Sequence, residues 1–190
     1  MLNRALSTLF AAPCALLFLV VVTCGAKAQE PDSPELKVLA KLIGTWDDQY
    51  AVEPNDNLPE GHKATAVTRR QWALDGKYVL GQGTWEPAKT AYAHLVTYDG
   101  FAGVYRSWYF DASGTMPRAV STGTWDEKAQ MLNWSETHED GHTMTSYHKF
   151  VDDDHQEWAL TLKGPDGEIV LSMKGTSTRR KEEPKPDAEK

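Results

Sequence analysis

Three copies of one short string constrain this chain more than any other feature: Gly44-Thr45-Trp46-Asp47, Gly83-Thr84-Trp85-Glu86 and Gly123-Thr124-Trp125-Asp126. Each lies at one end of a stretch rich in β-branched and aromatic residues, and the first follows a short helical pattern. Ser33 is suited to an N-cap, Pro34 to the first helical position and Glu35 to the first turn, while Leu36, Leu39, Ala40 and Ile43 recur at helical spacing. From Thr45 onward the period becomes two. Strands are predicted near 45–52, 65–74, 77–85, 92–98, 104–110, 118–125, 131–136, 143–151, 157–163 and 168–178. Turn signals such as Asp75-Gly76, Asp99-Gly100 and Pro165-Asp166-Gly167 separate them. With short connections and no intervening helix, neighbours pair in order. About ten strands would leave two open edges, and closure removes them. The expected fold is therefore all-β, an antiparallel up-and-down barrel of about ten strands with one short N-terminal helix.

The N-terminus reads as a targeting segment. Arg4 precedes the apolar run Ala15–Val22, and Ala26-Lys27-Ala28 offers a cleavage site, so residues 1–28 form a signal peptide. The alternative is a lipoprotein signal with Cys24 acylated, although Thr23 is a poor residue before such a cysteine. Either way the chain is expected to be exported. Both cysteines, Cys14 and Cys24, lie in the leader, so the mature chain has no disulfide and relies on its core. Residues 29–35 read as a flexible lead-in, 36–178 as the barrel domain and 179–190 as a charged, disordered tail.

Of 20 basic residues, Arg4 and Lys27 leave with the leader; 18 then face 27 acidic ones, a net charge of −9. That sign argues against nucleic acid as a partner. The mature chain contains no segment apolar and long enough to span a membrane as a helix.

The strings Leu42-Ile43-Gly44-Thr45-Trp46, Trp72-Ala73-Leu74-Asp75-Gly76-Lys77-Tyr78-Val79, Tyr98-Asp99-Gly100 and Gly123-Thr124-Trp125-Asp126, in that order, resemble a family of exported bacterial proteins of unassigned function. That family has a lipocalin-like barrel of the calycin superfamily. The resemblance implies that Trp46 plugs one end against the leading helix, and it carries no catalytic residue across.

Candidate binding residues follow from strand parity. An Asp75-Gly76 hairpin pairs Leu74 with Lys77, Trp72 with Val79 and Arg70 with Gly81, and this face is the apolar one. Arg70 then points inward opposite a glycine, where it is suited to anchor an acidic head group. On 104–110 the set Val104, Arg106, Trp108 and Phe110 is the more apolar, which places Arg106 and Trp108 inside and leaves Tyr105 and Tyr109 as an outer stripe. On 143–151 His148 shares the inner face with Met144, Ser146 and Phe150, and is a candidate acid–base group or ligand for metal or haem. Trp72, Trp108, Trp134 and Trp158 are candidates to line a cavity. The segment connecting 53–63 is a candidate lid.

His138-Glu139-Asp140-Gly141-His142 spells a zinc-protease signature, but Asp140-Gly141 marks a hairpin turn, whereas that chemistry needs a helix. No metal site, catalytic residue or cofactor is assigned. The preferred reading is a non-catalytic barrel for a small apolar or amphipathic ligand. The alternatives are a filled barrel acting as an envelope scaffold through Tyr105, Tyr109 and Tyr147, and an enzyme built on Arg70, Arg106 and His148.

Overall fold

The computed structural model describes residues 33–56, 58–86, 89–112 and 120–181. The expected signal peptide, residues 1–28, and most of the expected tail lie outside them. A helix, α1 (Pro34–Ala40), precedes ten strands: β1 (Gly44–Val52), β2 (His62–Ala73), β3 (Tyr78–Trp85), β4 (Thr90–Asp99), β5 (Val104–Asp111), β6 (Ser121–Asp126), β7 (Met131–Thr137), β8 (Thr143–Phe150), β9 (His155–Lys163) and β10 (Ile169–Arg179). Each strand pairs antiparallel with the next, and β1 pairs with β10 from Trp46↔Arg179 to Val52↔Met173, closing the barrel. Closure leaves no strand with an unpaired edge, which is what the succession of short-looped strands requires.

The Ser33 hydroxyl accepts the Leu36 N–H at 3.2 Å, and Pro34 occupies the first turn, so the helix starts inside the segment expected to be a flexible lead-in. Leu36, Val38, Leu39 and Leu42 are buried against β-sheet residues including Val96, Tyr105 and Leu132. Trp46 is completely buried and donates its indole N–H to the Leu42 carbonyl at 2.8 Å. Arg179 lies over the same indole at 4.3 Å from the ring centre and donates to the carbonyls of Lys41 and Ile43. The helix, the first strand and the last strand therefore lock together at one end. The last strand extends through Arg179, one residue beyond the predicted domain edge at 178, and Arg180, two beyond, grips Asp47 with contacts of 2.6–2.9 Å.

The opposite end is framed by Val52, Trp85, Asp111, Ser121, Thr137 and Ile169 at the far ends of their strands. None of the described residues of the 53–61 connection lines the interior. That connection is fastened to the barrel wall: the Glu53 N–H donates to Ser172 O at 2.9 Å, and Glu53 pairs with Lys174 at 2.6 Å. No helix among the described residues is long and apolar enough to cross a membrane.

The β2–β3 hairpin keeps the expected register, Arg70 opposite Gly81 and Trp72 opposite Val79. Leu74 departs from it. β2 ends at Ala73, Leu74 and Asp75 adopt left-handed conformations, and Leu74 lies exposed in a turn instead of joining the inner face.

Trp46→Ala would remove the central piece of the plug. The expected cost is roughly 3–5 kcal/mol, read as a shift in the urea midpoint, with the far-UV spectrum of the surviving folded fraction still that of a sheet.

Candidate functional site

A cavity of about 550 Å³ occupies the upper part of the barrel. Its walls come from β2 to β10, with Val96, Trp134, Met144, Leu160, Leu162, Leu171 and Met173 supplying apolar surface. Ser107, Ser121 and Ser146 line it too, and their small side chains leave the space that larger residues would fill. Below it, a packed cluster under the helix around Leu39, Val79 and Leu132 closes the barrel, while a second cluster of Tyr50, Ala66 and Trp158 packs against Trp85 and Met173 at the side of the cavity.

The floor of the cavity is polar. Register places Arg70, Gly81, His94 and Tyr109 in one row across β2, β3, β4 and β5. A Cβ on Gly81 would lie 2.2 Å from His94 Nε2, so the imidazole can rest there only because that position has no side chain. Gly83 does the same for Tyr92, whose hydroxyl would be 2.6 Å from such a Cβ. Over this gap Tyr92 reaches Thr68 Oγ1 at 2.6 Å, and Thr68 donates onward to Asp48 Oδ2 at 2.5 Å. Because Thr68 has one proton and gives it to Asp48, Tyr92 is the donor in the first contact. Ser177 donates to the other Asp48 oxygen.

Arg70 is 6 % exposed, and its Nε and Nη1 have no hydrogen-bond partner. Burial pulls its pKa below the ordinary value, opposed mainly by Asp48. His94 and His148 line the cavity together with Arg70. Burial first, and the Arg70 charge second, push both rings down to about 3, so they are neutral at pH 7. His148 Nδ1 is buried and unpartnered.

Aromatic rings form one side of the wall. Trp85 stacks on Tyr92 at 5.0 Å, Tyr92 on Tyr109 at 5.7 Å, and Trp85 Nε1 donates to the Tyr109 hydroxyl at 2.8 Å. Burial raises the Tyr109 hydroxyl to about 12, which keeps it protonated. At the mouth Ser121 donates to Glu136 Oε2 at 2.5 Å, and the other Glu136 oxygen lies 2.5 Å from His138 Nε2.

Of the residues the sequence singles out, Arg70, Trp134 and His148 meet in this cavity. Trp72 and Trp158 face inward but do not line the cavity: Trp72 packs against the cluster under the helix, and Trp158 sits with Tyr50 and Ala66. Arg106 and Trp108 do not enter the barrel. Pairing of Val96 with Ser107 and His94 with Tyr109 turns the opposite parity of β5 inward, leaving Arg106 outside with Asp99 at 3.6 Å and Thr122 at 3.0 Å. Parity counting failed there because tyrosines were scored as polar. Inside the barrel their hydroxyls find partners: Tyr105 donates to the Glu35 carbonyl at 3.3 Å and Tyr109 accepts from Trp85. The outer tyrosine stripe therefore does not exist, and the trio Arg70, Arg106 and His148 is not assembled.

His94, Trp85 and Glu136 also line the cavity without being among the candidate binding residues, and Tyr109, expected on the outer face, lines it too. Only Gly81, the register partner of Arg70 on one side and of His94 on the other, points to His94. The His138–His142 segment is a hairpin turn, with the His138 N–H donating to His142 O at 2.8 Å. Among the described residues no group of three or more His, Cys, Asp or Glu is arranged to hold a metal.

Comparison with known proteins agrees with this architecture. Residues 31–179 match DUF1579, described as a protein of unknown function. The chain belongs to that family. No curated protein matches it. Three solved structures share the fold at low identity. A DUF3598 protein of unknown function from Nostoc punctiforme is 12% identical (TM-score 0.56), over 75% of this chain and 48% of its own, so the DUF1579 chain spans about half of it. The S-type phycobiliprotein lyase CPES from Guillardia theta is also 12% identical (TM-score 0.54), over 77% and 93%. Rv2717c from M. tuberculosis is 10% identical (TM-score 0.58), over 78% and 99%. At such identity each establishes the barrel alone.

The two neutral histidines make stability fall with acid. Their folded pKa near 3 lies below the unfolded value, so the unfolded chain binds more protons between about pH 6.5 and 3 and stability drops as pH falls through that window. Melting temperature should decline between pH 6.5 and 5, above the range of the exposed carboxylates. His148→Phe should flatten that slope by about half, since one of the two rings remains.

Proposed function

We propose that this protein is an exported barrel that binds a small apolar or amphipathic molecule in its interior and is not a catalyst. The observation that carries the reading is the unfilled volume: a cavity of about 550 Å³ with largely apolar walls, in a barrel sealed by a helix at one end. A barrel serving only as a scaffold would gain stability by filling that space, because empty apolar volume forfeits packing contacts. The size falls in the range of pockets for small organic ligands. Three serines line the volume where larger apolar residues would fit the sheet, which supports space kept for an occupant.

Titrating the protein with fatty acids, retinoids and haem while following tryptophan emission should give a saturable one-to-one change for at least one class, reported by Trp85 and Trp134 at the cavity wall. Ser146→Phe places a ring in the middle of the volume and should weaken that binding about tenfold or more without lowering the melting temperature. If no class perturbs emission and Ser146→Phe is strongly destabilising, the space is not a binding cavity.

Export is part of the proposal and rests on the leader pattern in residues 1–28. Intact-mass measurement of the chain recovered from its native host should give a species beginning at Gln29. A lipid-modified Cys24 at the N-terminus would establish the anchored alternative, and a retained Met1 leader would remove export altogether.

A further inference from the structure

Resting on the reading of the cavity as a binding site, we propose that its floor is an anion subsite and that the ligand is an amphipathic monocarboxylate held head-inward. The carboxylate lies against Arg70, and the apolar body runs toward the mouth.

The argument begins with an uncompensated cation. Arg70 is buried, carries its charge at any ordinary pH, and has Nε and Nη1 directed at no acceptor. A buried guanidinium is tolerated when a carboxylate meets it. The carboxylate nearest in influence, Asp48, is occupied elsewhere: one oxygen accepts from Thr68, the other from Ser177, and no ion pair joins it to Arg70. Asp48 lowers the potential at the floor without satisfying the guanidinium donors. Trp46 closes the space beneath, its ring centre 6.0 Å from Arg70 Cζ. Any acceptor for these N–H groups must therefore arrive from the cavity side.

The neighbours fit an arriving anion. Burial and the Arg70 charge keep His94 and His148 uncharged, so they add no second cation, yet a neutral imidazole still offers an N–H. His148 has its Nδ1 unpartnered at the cavity floor. One guanidinium flanked by neutral donors matches a single negative charge; a phosphate dianion would leave charge unpaired in a buried site. Above the floor, Val96, Met144, Leu160, Leu162, Met173 and the Trp134 ring make most of the wall, with three short serine side chains between them and the carboxylates Asp111 and Glu136 toward the mouth, so the body of the ligand meets mainly apolar surface. The polar floor is the deep end, which sets the orientation.

Calorimetric titration of the mature protein with decanoate and with decan-1-ol, equal in chain length and different in charge, tests this at pH 7.5. Decanoate should bind at least about tenfold more tightly, the scale of one charge-assisted hydrogen bond. In Arg70→Met the two should bind within about twofold of each other. Because Arg70→Met leaves Asp48 buried without an opposing charge, the double variant Arg70→Met/Asp48→Asn, which removes both charges together, is measured alongside, and the same loss of preference is expected. Equal binding of the two compounds by the unaltered protein, or a preference that survives in the double variant, overturns the anion subsite while the cavity reading stands. Binding of neither compound removes both.

Discussion

Arg179 joins parts of the chain that are 136 residues apart in sequence. Its guanidinium lies over the Trp46 ring, donates to the carbonyls of Lys41 and Ile43 after the helix, and pairs with Asp154 at 3.4 Å on the neighbouring hairpin. A planar cation with five donors can do all three at once; a lysine could not. Because Arg179 is the last paired residue of β10 and Trp46 its register partner on β1, this one stack fixes both the closure of the sheet and the seating of the helix. Everything above it, including the floor of the cavity, is positioned by that seal.

The interior divides by chemistry along the barrel axis. Near the helix, apolar side chains pack to the exclusion of space. One layer up lies a band of buried polar groups: Asp48 with its two hydroxyl donors, Arg70, two neutral histidines, and Gln156, whose amide has no partner. A band of this kind is costly for a domain of this size, which has no disulfide to offset it. Its cost is intelligible if the band serves something bound above it. Tyrosine, threonine and aspartate in this band form a directed chain, while the unpartnered nitrogens of Arg70 and His148 belong to residues that line the cavity.

Much of this was legible before any coordinates. The ten strands follow from turn residues and period-two patterning, and the barrel follows from the need to dispose of edges. In all three Gly-Thr-Trp strings the glycine and tryptophan share strand parity, and Trp46, Trp85 and Trp125 indeed face the interior at different heights. The hairpin register gave Arg70 and its glycine. Two things resisted. The face of β5 was misjudged because apolar counting treats tyrosine as a surface residue, although in a closed barrel its ring is core and its hydroxyl needs only one partner. His94 lies in an otherwise unremarkable strand, and its place beside Arg70 depends on pairing across Gly81, a relation between three strands and not a local pattern. Leu74 failed for a different reason: the hairpin used a longer turn with left-handed residues, so a pairing rule for two-residue loops ran one position too far.

The stacking of the first strand on the last also determines where the molecule can be held. Ser33 and Lys181 both leave the sheet at the sealed end, beside the helix, while the opening lies at the far end of every strand. Anything carried directly next to Ser33 or Lys181 therefore lies on the helix side of the cylinder, with the rim turned away from it.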